Sequence, residues 1–303
     1  MDFLNSYGYL VFLVAQNAIL ALSVYITLMA GQLSLACMGF MAIGAYGSAL
    51  LAMNYGVPYP LTLVLAAGLS ALVGLAVGGP ILRLKGVYLA ITTVGFGELV
   101  RFTALNAEFT GGAMGLSGVP EGTEVWHVFL FLALLLYGFH MLHRSRYGRA
   151  LMAIGRDETV AKTMGIPTTR YKVLAFAAGA AMASVAGSFA AHRTFYISPG
   201  EFSFSIAVLV LMFAVFGGLR NHWGPVLGAA VLTVLPEIFR FLQDWRMVIY
   251  GVSVLVVVVF FPEGLLELRR LFRRRRGRTA EAPQPAPEQP AARGRATPEG
   301  RVA

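Results

Sequence analysis

The stretch "YKVLAFAAGAAMASVAGSFAAH", residues 171–192, is 22 residues long and its only charge is Lys172, near its start. About 20 apolar residues are enough to cross the roughly 30 Å hydrocarbon core of a bilayer as a helix. The run is therefore long enough to span. Its alanines, glycines and serines let helix backbones approach closely in lipid, which predicts a tight bundle. About nine apolar segments recur along the chain: 7–30, 35–54, 61–82, 86–105, 125–142, 171–192, 203–219, 224–241 and 246–262. The 303 residues are 57% hydrophobic and 13% charged, which excludes an ordinary soluble domain. Backbone groups in lipid must be satisfied internally, so helices are expected, and the alternation of a transmembrane barrel is absent. The expectation is an all-α polytopic bundle of about 8–10 transmembrane helices.

Charge placement predicts orientation. Arg144, Arg146, Arg149, Arg156, Lys162, Arg170 and Lys172 cluster between residues 143 and 172. Arg83 with Lys85, then Arg220, then Arg269, Arg270 and Arg273 to Arg276 form three further basic sites. Alternating nine crossings puts all four sites on one side, which the positive-inside rule makes cytoplasmic. The N-terminus then lies outside and the C-terminus inside. The segment "LNAEFTGGAMGLSGVPEGTEVWH" (105–127), rich in glycine and net acidic, falls outside. The +9 net charge thus reads as topogenic, with no nucleic-acid partner implied. The start, "MDFLNSYGYL", lacks the basic region of a signal peptide, so the first run is expected to be retained. Residues 1–268 are expected to form the membrane domain; 269–303 read as a basic, then disordered cytoplasmic tail, rich in Pro, Ala, Glu and Arg beyond 277.

Catalytic signatures are missing. There is no G-x-x-x-x-G-K-[ST] loop for nucleotide phosphates and no H-E-x-x-H motif. The single cysteine, Cys37, excludes an intramolecular disulfide or a multi-cysteine metal site. His140 and His143 have i,i+3 spacing but read as interfacial, beside Arg144. No metal or cofactor is expected on this chain. Two acids do lie within apolar segments, each three residues before an arginine: Glu98 with Arg101, and Glu237 with Arg240. Such neighbours on a helix can pair. They read either as self-neutralised pairs or as pathway contacts in the outer part of the membrane, because intramembrane charge is costly and often functional. The matching hexamers hint at an internal repeat. Broken helices are expected at "MAGQLSLACMGF" (29–40), "ITTVGFGE" (91–98) and "FGGLRNHWGP" (216–225). There Gln32, Ser34, Thr92 and Thr93 are candidates to line a polar path; the alternative is close packing with ordinary turns.

One polar stretch interrupts the pattern: "GRALMAIGRDETVAKTMGIPTTRYK" (148–172), with seven charges in 25 residues. Leu151, Ile154, Ala161 and Met164 recur at helical spacing, and Gly165 with Pro167 is a stop signal. The 16 residues from Arg149 to Met164 make about 24 Å of helix, too charged to cross. A surface helix bending at Gly155 is predicted. It either links two spans or docks a cytoplasmic partner.

At these residues the chain resembles the permease subunits of ABC importers for branched-chain amino acids, the LivM type. The resemblance rests on "GQLSLACMGFMAIGAY" (31–46), "LKGVYLAITTVGFGELVR" (84–101), "TGGAMGLSGVP" (110–120), the 148–172 stretch, "SPGEFSFSIAVLVLMFAVFGGLRNHWGPVLGA" (198–229) and "FFPEGLL" (260–266). Where many relatives read "GQLSLGHAAF", this chain has Ala36 and Cys37. The resemblance implies a bacterial inner-membrane subunit paired with a LivH-type sister permease. It implies two cytoplasmic ATPase subunits, which use ATP and Mg, and a periplasmic solute-binding protein. It also implies that Gly148, Arg149, Ala150, Ile154, Arg156, Asp157, Glu158, Ala161, Met164 and Gly165 couple to the ATPase. Branched-chain amino acids are the default substrate; urea, amides and aromatic or other carboxylates are alternatives within the family. An ion-coupled secondary transporter is the reading from another class.

Overall fold

The structure, a computed structural model, describes residues 2–219, 221–238 and 251. Apart from Gly251, the expected ninth segment lies outside the described residues, as do Arg220, Arg240 and the whole tail. Among the described residues, α1 (Asp2–Met29), α2 (Cys37–Tyr55), α3 (Tyr59–Ile81), α4 (Val87–Asn106) and α5 (Val125–Arg144) follow in order. Two short helices, α6 (Arg146–Arg156) and α7 (Glu158–Thr163), precede α8 (Thr168–Thr194), α9 (Phe204–Gly217) and α10 (Trp223–Ile238). Among the described residues, six helices are long and apolar enough to cross a membrane: α2, α3, α4, α5, α8 and Gly8–Met29 of α1. The all-α membrane bundle expected from the sequence is what forms. The 14 residues of α9 make about 21 Å, short of a full crossing.

Small residues decide how the bundle packs. Helix α8 lies along α1, α2 and α3. A Cβ on Gly44 of α2 would overlap the carbonyl oxygen of Ser184 in α8, and one on Gly187 of α8 would overlap that of Met41. The Ser188 hydroxyl is 3.0 Å from the Gly44 carbonyl oxygen, so this near-contact of backbones is also hydrogen-bonded. Lipid tails are as apolar as leucine, so association relies on such close packing and internal polar contacts. Helix α1 also packs against α9, α10 and α5. Facing outward, α3, α4 and α5 carry exposed large apolar side chains such as Leu72, Ile91 and Leu134, suited to lipid or a partner helix.

The acidic connection between α4 and α5 is ordered. Two single 3-10 turns lead to strand β1 (Leu116–Ser117), which pairs antiparallel with β2 (Tyr196–Ile197) just after α8. His192 of α8 donates from Nδ1 to the Pro120 carbonyl at 2.9 Å, and the Tyr59 and Thr123 hydroxyls are 2.6 Å apart. After β2 the chain makes one more 3-10 turn, Pro199–Phe202, which packs against α4. Its Pro199 and Phe202 are buried.

Candidate functional site

The break expected between α1 and α2 is present. Gly31 turns the chain at φ +69°, a conformation glycine adopts without penalty. Residues 32–36 then run without helical structure to Cys37. Gln32 and Ser34 are both buried. The Ser34 hydroxyl accepts from the Ala36 amide at 3.3 Å. Gln32 is 1% exposed, yet neither its amide nitrogen nor its oxygen has a protein partner. An orphaned buried amide costs about 1–3 kcal/mol, so a native one asks for an explanation. The structure also brings Thr93 to this break: its hydroxyl accepts from the Leu35 amide at 3.0 Å and donates to the Ala90 carbonyl at 2.9 Å. The expected path residue Thr93 is thus tied to the break that holds Gln32 and Ser34, across 58 positions of chain.

The expected break at 91–98 does not form. Helix α4 runs unbroken through it. The hydroxyls of Thr92 and Thr93 bond back to the carbonyls of their own helix, which satisfies them without unwinding it. Gly97 instead allows close approach: a Cβ on Gly39 of α2 would sit 3.0 Å from its Cα. The glycines at 216–225 serve the turn between α9 and α10.

Glu98 and Arg101 form the expected pair, with Nη1 to Oε2 at 2.6 Å. Glu98 lies about 16 Å along α4 from Val87, just past the middle of the helix. Its second oxygen, Oε1, accepts from the backbone amide of Phe204 at 3.2 Å. That amide is the first of α9, so Glu98 accepts from the N-terminus of a helix whose first residue, Phe204, is exposed. A carboxylate at a helix N-terminus is favourable because the orphan amides and the helix dipole both attract it. Glu98 and Arg101 are each about a quarter exposed, and Arg101 Nε is buried without a partner. The second acid, Glu237, lies in α10; Arg240 is outside the described residues.

The polar stretch at 148–172 forms two helices, and the bend falls at Asp157, two residues after the Gly155 expected to bend. Ser145 caps α6, its hydroxyl accepting from the Gly148 amide at 3.0 Å. Helix α6 continues through Gly155. Asp157 then leaves helical geometry and caps α7, accepting from the amides of Thr159 at 2.8 Å and Val160 at 3.0 Å. An aspartate with a free backbone is a strong N-cap, and this signal was readable at "RDETV". Leu151, Ile154 and Ala161 are buried against the chain's own bundle. Gly155 faces the α1–α2 break: a Cβ there would overlap the Met29 carbonyl oxygen, and one on Gly31 would lie 3.2 Å from the Gly155 Cα. Glu158 binds Lys172 at 2.6 Å and Lys162 at 2.9 Å. Burial alone raises its pKa, but the two lysines outweigh this and hold the carboxyl down to about 2. Arg149, Arg156, Val160 and Met164 remain exposed, and Ala150 lies half-buried. Gly165, at φ +79°, ends the element as expected.

Residues 6–258 match the family described as "Branched-chain amino acid transport system / permease component". The chain belongs to this family. It is 35% identical over 277 residues to the high-affinity branched-chain amino acid transport system permease protein LivM of Salmonella typhimurium, covering 80% of this chain. The Escherichia coli LivM is 34% identical over the same coverage. The chain spans 65% of the length of these two relatives. LivH of Salmonella typhimurium, named as a high-affinity branched-chain amino acid transport system permease protein, is 31% identical over 144 residues, 47% of this chain and 46% of LivH. No solved structure matches. Among the described residues of this permease-family chain, no cluster of three or more His, Cys, Asp or Glu is placed to hold a metal ion.

Proposed function

We propose that this chain is the membrane-spanning subunit of an ATP-driven importer for branched-chain amino acids. The observation that carries the reading is membership of the permease family over residues 6–258. On this reading it sits in the bacterial inner membrane with its N-terminus outside, paired with a LivH-type sister. Two cytoplasmic ATPase subunits using ATP and Mg, and a periplasmic binding protein, complete the machine. Helices α6 and α7 form the coupling element. Their apolar face is already spent on the bundle, so the surface left for an ATPase is Arg149, Arg156, Val160 and Met164. The abutment of Gly155 on Gly31 supports a route by which α6 movement reaches the break bearing Gln32 and Ser34. ATP-driven rocking couples to transport only where the ligand interacts differently with the two states.

The test is leucine uptake in cells that lack other uptake systems, with the chain expressed beside its partner subunits. Uptake dependent on the ATPase supports the reading; uptake that persists without it and collapses with the ion gradient overturns it. Arg156→Glu with Met164→Asp should abolish ATPase co-purification while the folded chain is retained. Reversing Asp157 or Glu158 is a poorer probe, since both have structural partners within the chain.

A further inference from the structure

Glu98 lines a cleft whose walls are otherwise nearly all apolar, and its ion-pair partner Arg101 lies beside the cleft rather than in its lining. Leu35, Met38, Val94, Phe202, Phe204 and Ala207 line it, with Glu98 at its polar end and Ser203 alongside. Its empty space is about 190 Å³ only when the part open to solvent is counted, and the enclosed part is close to the size of one water, so a side chain enters only as the cleft widens. The two charges neutralise each other across 2.6 Å. A ligand with one net charge would leave one of them unmatched in a low-dielectric setting, at a large penalty. A zwitterion would not. Its carboxylate can take the Arg101 guanidinium, whose Nε has a donor to spare, while its ammonium takes the Glu98 carboxylate. The site is neutral before and after.

We propose that the Glu98–Arg101 pair is an α-amino-acid binding site within the permease, opened by the ligand's two charges, with the apolar cleft receiving an aliphatic side chain. The proposal rests on the importer reading and deepens it: substrate class is checked a second time inside the membrane. It also accounts for the place of Glu98 on the α9 amide. With Oε1 held by Phe204, the carboxylate keeps a fixed position when Arg101 turns to the ligand.

The full chain in lipid nanodiscs is tested by saturation-transfer NMR with L-leucine, with isocaproate, which lacks the ammonium, and with isoamylamine, which lacks the carboxylate. Leucine should bind, with each single-charge analogue weaker by about tenfold to hundredfold, the effect of losing one charge-assisted contact. Glu98→Gln and Arg101→Gln should each weaken leucine to the same degree. The swap Glu98→Arg with Arg101→Glu should fail to restore binding, because it sets a cation against the α9 amide. Equal binding of all three ligands, no leucine binding, unchanged binding in the variants, or rescue by the swap would each overturn the proposal, the last by showing a purely structural pair. If Arg101→Gln does not fold, Arg101→Lys and the comparison of ligands on the unaltered chain decide. Failure here with intact ATP-dependent uptake by the transporter leaves the importer reading standing; absence of uptake is the failure of that reading.

Discussion

Helices α8 and α5 both read as apolar spans, yet 72% of the α8 window is buried and only 17% of the α5 window. The difference lies in side-chain size. Helix α8 is built of Ala, Gly and Ser, and its neighbours reach its backbone. Helix α5 carries Phe129, Leu130, Leu134 and Tyr137, all exposed. In a membrane, a large apolar side chain gains little by turning inward, whereas a missing side chain lets two backbones meet. Polar groups follow the same division. Ser188 is bonded inside the close-packed group, while the Glu98–Arg101 pair lies on α4, whose apolar window is only 22% buried.

Two glycines three residues apart in α2 break the comparison most directly. Gly44 meets the Ser184 backbone; Gly47 has nothing within 4 Å of where a Cβ would lie. Overpacking against rigid backbone should make Gly44→Ala lose about 3 kcal/mol of stability. Gly47→Ala should gain about 0.5 kcal/mol through helix propensity. Thermal unfolding of the two variants in detergent measures both. Equal losses would show that the hub is not held by backbone approach.

This division was largely legible in the order of the residues alone. The spans and the small-residue runs follow from hydropathy and composition, which act locally. The Glu98–Arg101 pair was legible for the same reason, since i,i+3 neighbours share a helix face whatever the tertiary fold. The carboxylate's second role was not: the Phe204 amide is 106 residues away, and nothing local announces that contact. The 91–98 segment misled because glycines and threonines suit both a broken helix and a close-packed one. Threonine back-bonding to its own helix removed the need for a break. Gly155 misled in the same way: its lack of a Cβ serves contact with Met29, and the bend went to Asp157, where a side-chain cap could satisfy the freed amides.

The α6 seam extends the comparison to a helix of only 11 residues. Gly155→Ala should destabilise by about 2 kcal/mol through the clash with the Met29 carbonyl. Limited proteolysis between residues 145 and 165 should accelerate as α6 lifts from the break. Unchanged cleavage would mean that the seam is loose. At the break itself, Gln32→Met replaces an orphaned amide with a side chain of similar shape. Stability should rise by about 1.5 kcal/mol, the desolvation penalty relieved, and on the importer reading proposed above leucine uptake should fall. A variant that is both more stable and fully active would remove Gln32 from the expected polar path.

The smallest effect is a pH dependence where α5 meets the turn before α10. The His222 ring lies 5.2 Å from that of His143 and 6.1 Å from that of His140. His143 donates from Nδ1 to the Phe139 carbonyl at 2.8 Å, and its Nε2 lies 3.1 Å from the Tyr25 hydroxyl. Burial first, and then the charges of His143 and His140, lower the His222 pKa to about 4. The unfolded chain, with an ordinary imidazole near 6.5, therefore binds more protons than the folded one once the pH drops below that value. The His222 contribution is complete above about pH 6.5 and is lost as the pH falls through about 4. Between about pH 7.5 and about pH 5.5 the loss should be about 1 kcal/mol. Unfolding midpoints of the unaltered chain and of His222→Asn, measured across that range, should converge at the acid end. Parallel curves would mean that His222 titrates alike in the folded and unfolded states, and that this junction is open to water.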